Sequence, residues 1–227
     1  DGRSHRERHR LRATRLFRRR LGGAVPECLA PVRDYLDANY FARLPNAHKV
    51  NPKMLVVFSG GSALGKSTLS RAIQDELGAI VLENDEIKEH LMAFSSTLPR
   101  DELNKLTWQY SMDLYARLDA LTSNGLVVRD GLIDWYFDRI LPVFEQQGYK
   151  LFIIAFDVSD DLRVRLIKQR GDKPTITVDR LVSLMPEQDL HAARFRNAHT
   201  PDIVLDDNNL FDTQRVLHAV RSAFQNK

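Results

Sequence analysis

The strand-forming run Met54-Leu55-Val56-Val57-Phe58 passes almost directly into Gly60-Gly61-Ser62-Ala63-Leu64-Gly65-Lys66-Ser67-Thr68, and a stretch with helical spacing follows. Nothing else in the chain restricts the fold as tightly. Glycines at 60, 61 and 65 let the backbone turn so that successive N–H groups converge on one concavity, which the amino terminus of the next helix also faces. The pattern G-x-x-x-x-G-K-S between a strand and a helix selects the phosphates of a nucleoside triphosphate. Lys66 is expected to bridge the β- and γ-phosphates and Ser67 to ligate magnesium, so ATP and Mg2+ are the expected cofactors. A chance glycine-rich turn is the alternative, and it leaves the agreement of spacing, residue type and flanking elements unexplained.

Downstream, short aliphatic runs alternate with longer amphipathic ones. Strands are expected at 54–58, 79–82, 126–129, 151–157 and 202–205, and helices at about 66–77, 86–94, 101–123, 134–147, 160–169, 177–196 and 211–225. Strands separated by helices require right-handed crossovers, hence a parallel sheet covered on both faces. The expected class is α/β, a three-layer P-loop NTPase sandwich with a five-stranded parallel sheet. Ligands in such folds gather at the carboxyl ends of the strands. A helical appendage is expected before the sheet: Leu29, Val32, Leu36, Tyr40 and Leu44 recur at spacings of three and four, and Pro45, Asn46, Asn51 and Pro52 mark a linker. The domain plan is therefore a basic tail over 1–23, an appendage and linker over 24–52, and the catalytic domain over 53–227.

Charge separates the tail from the rest. Nine arginines against Asp1 and Glu7 give the first 20 residues +7, so the remainder carries −4 within a net +3. The body has no cationic footprint for nucleic acid. The tail is expected to be solvated, with an RNA-binding arm or a transit peptide as alternative readings of its composition. The longest apolar runs span about six residues where a membrane helix needs roughly 20, so no membrane span is expected. Cys28 is the only cysteine, which excludes an internal disulfide and fits a reducing, cytoplasmic setting.

Three further stretches carry candidate chemistry. Asp85, in Leu82-Glu83-Asn84-Asp85-Glu86-Ile87-Lys88, falls at the carboxyl end of the second strand, where a carboxylate can take the proton of an attacking hydroxyl. It is also suited to cap a helix over 86–94, and the two roles are compatible. Asp130 ends the third strand and is a candidate outer-shell magnesium ligand or acceptor-orienting group, or else an ordinary turn aspartate before Gly131. The segment 160–170 holds Arg163, Arg165, Lys168 and Arg170 ahead of Gly171-Asp172-Lys173-Pro174. Arginines on such a hinge can close over a triphosphate and neutralise transition-state charge. Trp135, Tyr136 and Phe137 either pack the core or line an acceptor pocket. The seven histidines lack ligand spacing, so a zinc site is not expected.

Taken together, these residues resemble the small P-loop kinases, in particular the 5′-hydroxyl polynucleotide kinase domain and its AAA-type relatives, over about residues 54–185. The matching pieces are the GxxxxGKST loop, Asn84-Asp85 with Lys88 three positions on, Asp130 after a hydrophobic strand, and Gln169-Arg170-Gly171-Asp172-Lys173. The resemblance implies Asp85 as general base, Lys66 and Ser67 serving ATP and magnesium, and Arg170 on a lid, with Lys88 and Asp130 towards the acceptor. The chain departs from that family in having Lys88 for arginine, Gly131 for a hydroxyl-bearing residue, and Leu166 where a second lid arginine stands, with Arg165 one position earlier as the compensating candidate. Zeta-type toxin kinases and chloramphenicol-type phosphotransferases share this loop and base on small acceptors. The implied activity is transfer of the γ-phosphate to a hydroxyl, on a polynucleotide 5′ end or on a nucleoside, sugar or antibiotic. A non-catalytic ATP-binding regulatory module is the remaining alternative.

Overall fold

The computed structural model describes Asp34 and residues 52–94, 98–121, 125–172 and 176–225. The expected basic tail and nearly all of the expected appendage and linker lie outside the described residues. The chain divides into two units, one comprising residues 1–45 and 83–122 and the other 46–82 and 123–227.

The larger unit holds the sheet. Its strands are β1 (Met54–Ser59), β2 (Ile80–Glu83, whose last residue falls in the smaller unit), β3 (Leu126–Leu132), β4 (Lys150–Asp157) and β5 (Ile203–Asp206). They run parallel in the order β2-β3-β1-β4-β5. All six residues of β1 are buried, as expected for the central strand of a sheet covered on both faces. Met54, Val56 and Phe58 of β1, with Leu126 and Val128 of β3 and Phe152, Ile154 and Phe156 of β4, form one face of the core. Helices α1 (Lys66–Leu77) and α9 (Thr213–Gln225) close it with Leu69, Ile73, Val216, Leu217 and Val220. Each such aliphatic or aromatic side chain contributes about 1.5–3 kcal/mol on burial.

The remaining helices of this unit are α5 (Phe137–Glu145), α6 (Asp160–Arg170), α7 (Val178–Ser183) and α8 (Met185–Ala198). The sequence pattern predicts a single helix over 177–196, but two form. Pro186 sits in the first turn of α8, where its missing N–H costs nothing, whereas within a continuous helix it would leave a carbonyl of the preceding turn without a donor. A small second core of Ile167, Leu181 and Met185 joins α6, α7 and α8.

The described part of the smaller unit is helical: α2 (Asn84–Phe94), α3 (Arg100–Ala116) and the short α4 (Leu118–Leu121). The expected helix over 101–123 thus breaks at Arg117. Ile87 and Leu91 of α2 are buried, as are Leu103, Leu106 and Leu114 of α3. Ser111 and Tyr115 both donate hydrogen bonds to Asn84 Oδ1, at 3.1 and 2.9 Å, which ties the start of α2 to α3. Among the described residues no helix is long and apolar enough to cross a membrane.

Candidate phosphate-binding site

The loop between β1 and α1 is built for an anion. Gly60, Ala63 and Gly65 have φ of 129°, 63° and 79°, so the chain winds through left-handed conformations that aim its N–H groups inward. Helix α1 starts after Gly65 with no side-chain cap and no acidic residue in its first turn. Its first N–H groups therefore lack an internal acceptor and remain available to phosphate oxygens. Ser67 and Thr68 lie exposed at this helix end. Gly60 admits no larger residue, because a Cβ there would meet the Phe156 backbone and Cβ at about 3.0–3.1 Å.

Lys66 reaches back across the loop, donating a hydrogen bond to the Gly61 carbonyl and lying 5.5 Å over the Phe156 ring. The residue is only partly covered, but its ammonium end is enclosed. Desolvation lowers its pKa to about 8, opposed by the carboxylates of Asp130 and Asp134 and reinforced by the cations of Arg163 and Arg170. Asp130 and Arg170 are thus brought into electrostatic reach of Lys66. Arg165 is not: it lies exposed on α6 and its charge acts on Asp207 beside Ser159.

Arg163 is the α6 arginine at the loop. It is 3% exposed, and its Nη2 donates to Gln188 Oε1 at 2.5 Å while Nη1 pairs with Asp189. Gln188 Oε1 also accepts from the Ser62 N–H at 3.1 Å, and Gln188 Nε2 donates to Ser62 Oγ at 2.9 Å. Arg163 packs so closely on Gly61 that a Cβ there would fall 2.1 Å from its Nε. We expect Gly61→Ala to displace this buried guanidinium and cost about 1–3 kcal/mol, the range for overpacking. The same substitution in an Arg163→Ala background should cost much less, and thermal melts on the double-mutant cycle read the difference.

Asp134, like Gln188, is not singled out by the sequence reading. It is 1% exposed, and its Oδ2 accepts the Gly60 N–H at 2.8 Å, pinning the first loop glycine. Burial pushes its carboxyl pKa up, with the Gly60 and Ser59 contacts and Lys66 pulling the other way. The helix expected over 134–147 begins only at Phe137 because Asp134 turns back towards the loop. A signal existed in an acidic residue four positions beyond Asp130, but it fits an N-terminal helical turn equally well. Trp135 stacks on His191 at 4.5 Å, Phe137 packs edge-on against Phe195 at 5.2 Å, and Tyr136 is exposed. Trp135 and Phe137 therefore pack against α8.

Asp85 and Lys88 belong to the smaller unit. Helix α2 begins at Asn84, one residue before Asp85, so Asp85 occupies the first turn, where its charge opposes the positive end of the helix dipole. Lys88 lies one turn on. Burial lowers its pKa, with Asp85 acting to raise it and Arg100 to lower it.

The Lys66 environment sets a pH dependence. Between pH 8 and 10.5 the folded chain binds fewer protons at Lys66 than the unfolded chain does, so this group's contribution to stability grows with pH across that window. A bound triphosphate favours the ammonium form. Nucleotide affinity should therefore be fullest below pH 8 and decline as pH rises above it. Calorimetric titration at pH 9, in buffers of different ionisation heat, should show uptake of up to about one proton for the wild type and none for Lys66→Arg, since arginine stays charged.

The loop, the free helix terminus, the lysine and an exposed serine hydroxyl fit ATP with Mg2+. Among the described residues no group of three His, Cys, Asp or Glu side chains could hold a metal by itself.

A family described as an AAA domain matches residues 55–186. No curated protein matches the chain in sequence. Among solved structures, the chain is similar to the tunicamycin resistance protein of Deinococcus radiodurans, at 15% identity over 76% of this chain and 95% of that one, with a TM-score of 0.53. It is similar to shikimate kinase from Bacteroides thetaiotaomicron at 14% identity over 74% and 98%, with a TM-score of 0.51. A gluconokinase from Sinorhizobium meliloti 1021 gives 20% identity over 77% and 95%, with a TM-score of 0.50. These likenesses establish the P-loop kinase fold.

Proposed function

The chain belongs to the AAA domain family, and from that premise we propose that it is an ATP- and magnesium-dependent phosphotransferase that moves the γ-phosphate to a hydroxyl group. The observation that carries this reading is the loop in which Lys66 is enclosed beside Asp130, Asp134, Arg163 and Arg170. Phosphoryl transfer asks a protein mainly for positioning and charge neutralisation, and this loop brings together groups suited to both. In this reading the backbone N–H groups from Ala63 to Thr68 and the Lys66 ammonium hold the phosphates, the Ser62 N–H being taken by Gln188. Ser67 ligates Mg2+, which when bound neutralises phosphate charge. Arg170 follows the transferring group from the end of α6, with Arg165 available only if α6 moves. Asp85 takes the proton of the acceptor hydroxyl, and Lys88 and Asp130 orient the acceptor.

A small molecule is the favoured acceptor, because the body of the chain carries −4 and a polynucleotide requires cationic surface. The first 20 residues, with nine arginines, favour the second reading, a polynucleotide 5′-hydroxyl. A transfer screen with radiolabelled ATP, run over nucleosides, sugars, hydroxy acids, antibiotics and 5′-hydroxyl oligonucleotides, tests both. Transfer confined to oligonucleotides, falling steeply with salt and lost on removal of residues 1–20, would replace the first reading by the second. ATP binding with no acceptor-dependent transfer would leave a regulatory ATP-binding module.

A further inference from the structure

Among the described residues, Arg129 is a buried cation without a matching anion. It is 3% exposed in β3, and its Nε and Nη1 have no hydrogen-bond partner. A guanidinium removed from water without such partners is costly, and none of the loop contacts described above uses it. Its register partner across the sheet is Val57 of β1, and the pairing then slips, Phe58 facing Leu132. The slip leaves Asp130 and Gly131 as extra residues beside the strand that feeds the phosphate loop. Paired residues of parallel strands point to the same face, so Arg129, Val57 and Ser59 share one. On that face the Ser59 hydroxyl is also buried, its contact being with the Asp134 carboxylate and not with Arg129.

The Arg129 side chain runs along its strand towards the carboxyl edge. Its Nη1 lies 3.4 Å from the position of a Cβ on Gly131, two residues on. Gly131 has φ of 144° and is half-exposed, so the buried Nη1 is covered at this point only by backbone that carries no side chain. Glycine here, in place of the hydroxyl-bearing residue expected from the resemblance, leaves no side chain on residue 131 over that end of the guanidinium.

We propose that Arg129, over the bare backbone of Gly131, is the recognition point for an oxyanion, a carboxylate or phosphate ester, borne by the acceptor. This rests on the kinase reading above and narrows its acceptor to anionic hydroxyl compounds. A guanidinium suits such a group because it stays charged and donates several hydrogen bonds to a planar or tetrahedral oxyanion.

The test uses inorganic phosphate as the probe, titrated at constant ionic strength into the full chain already saturated with magnesium and a non-hydrolysable ATP analogue, so that the phosphate loop is filled. The readout is the thermal shift and the apparent Kd. Wild type should give a saturable stabilisation. Arg129→Met should weaken phosphate binding at least tenfold while binding the ATP analogue within about twofold of wild type, and its unliganded melting temperature should equal or exceed that of wild type, because it removes an unpaired buried charge. Arg129→Lys, which keeps a charge if the methionine variant does not fold, should be weakened about threefold or more. An undiminished phosphate response in either variant, or none in nucleotide-saturated wild type, overturns the proposal. Failure of wild type to bind the nucleotide analogue would instead overturn the kinase reading, and that binding is measured first in the same samples.

Discussion

Asp85→Asn should lower single-turnover transfer by roughly 10²- to 10⁴-fold, the usual contribution of a positioned general base, while the fold and ATP affinity persist. The substitution keeps the size and one oxygen of the side chain and removes only its capacity to accept a proton. Because α2 starts at Asn84 and Asp85 sits in its first turn, loss of the charge also forfeits its interaction with the helix dipole, worth about 0.3–1 kcal/mol. A purely structural role predicts that this small stability loss is the entire effect and that turnover is unchanged. Melting temperature, ATP affinity and transfer rate, measured on Asp85→Asn and Asp85→Ala, separate the two. A fully active Asp85→Asn protein would move the assignment of base to Asp130, one of the two carboxylates within electrostatic reach of Lys66.

Lys66→Ala should remove most of the stabilisation that ATP with magnesium confers. A ligand that binds only the native state at a hundred times its Kd adds about 2.7 kcal/mol, and without its ammonium the loop keeps only backbone donors for a highly charged ligand. The unliganded variant should melt near wild type, because loss of the hydrogen bond to the Gly61 carbonyl is offset by relief of a desolvated charge. An unchanged ATP shift in Lys66→Ala would remove the phosphate-loop assignment, and with it the functional reading.

Much of this architecture was legible in the residue pattern. All five strands appear where short aliphatic runs predict them, β3 extending to Leu132 instead of 129 and the others differing by a residue at either end. Short continuous aliphatic runs, buried on both faces as in β1, and the glycine punctuation of the loop make such signals local. The helices were read less well where the deciding contact is remote. The break at Leu184 follows from Pro186, which was visible, whereas the late start of α5 follows from Asp134 binding Gly60, 74 residues away.

Helix α6 shows the same limit. Charged residues are spread around it, so composition offered no reason to prefer one arginine. Burial of Ile167 settles the matter, since Arg163, Ile167 and Arg170 stand at i, i+4 and i+7 and share a stripe. Arg165 falls off that stripe and lies exposed. Gln188 carried no signal, because its role exists only once α8 crosses the loop at Ser62.

By itself the sequence determined the class of fold, the position of the phosphate loop and the identity of its lysine and serine, because these depend on backbone conformation and spacing within a dozen residues. Only the tertiary structure decided which charged groups surround that lysine, which arginine locks the loop, and that Arg129 is buried without an anion among the described residues. Those outcomes depend on contacts between residues far apart in the chain, and on desolvation, which is a property of the packed interior and not of any local stretch.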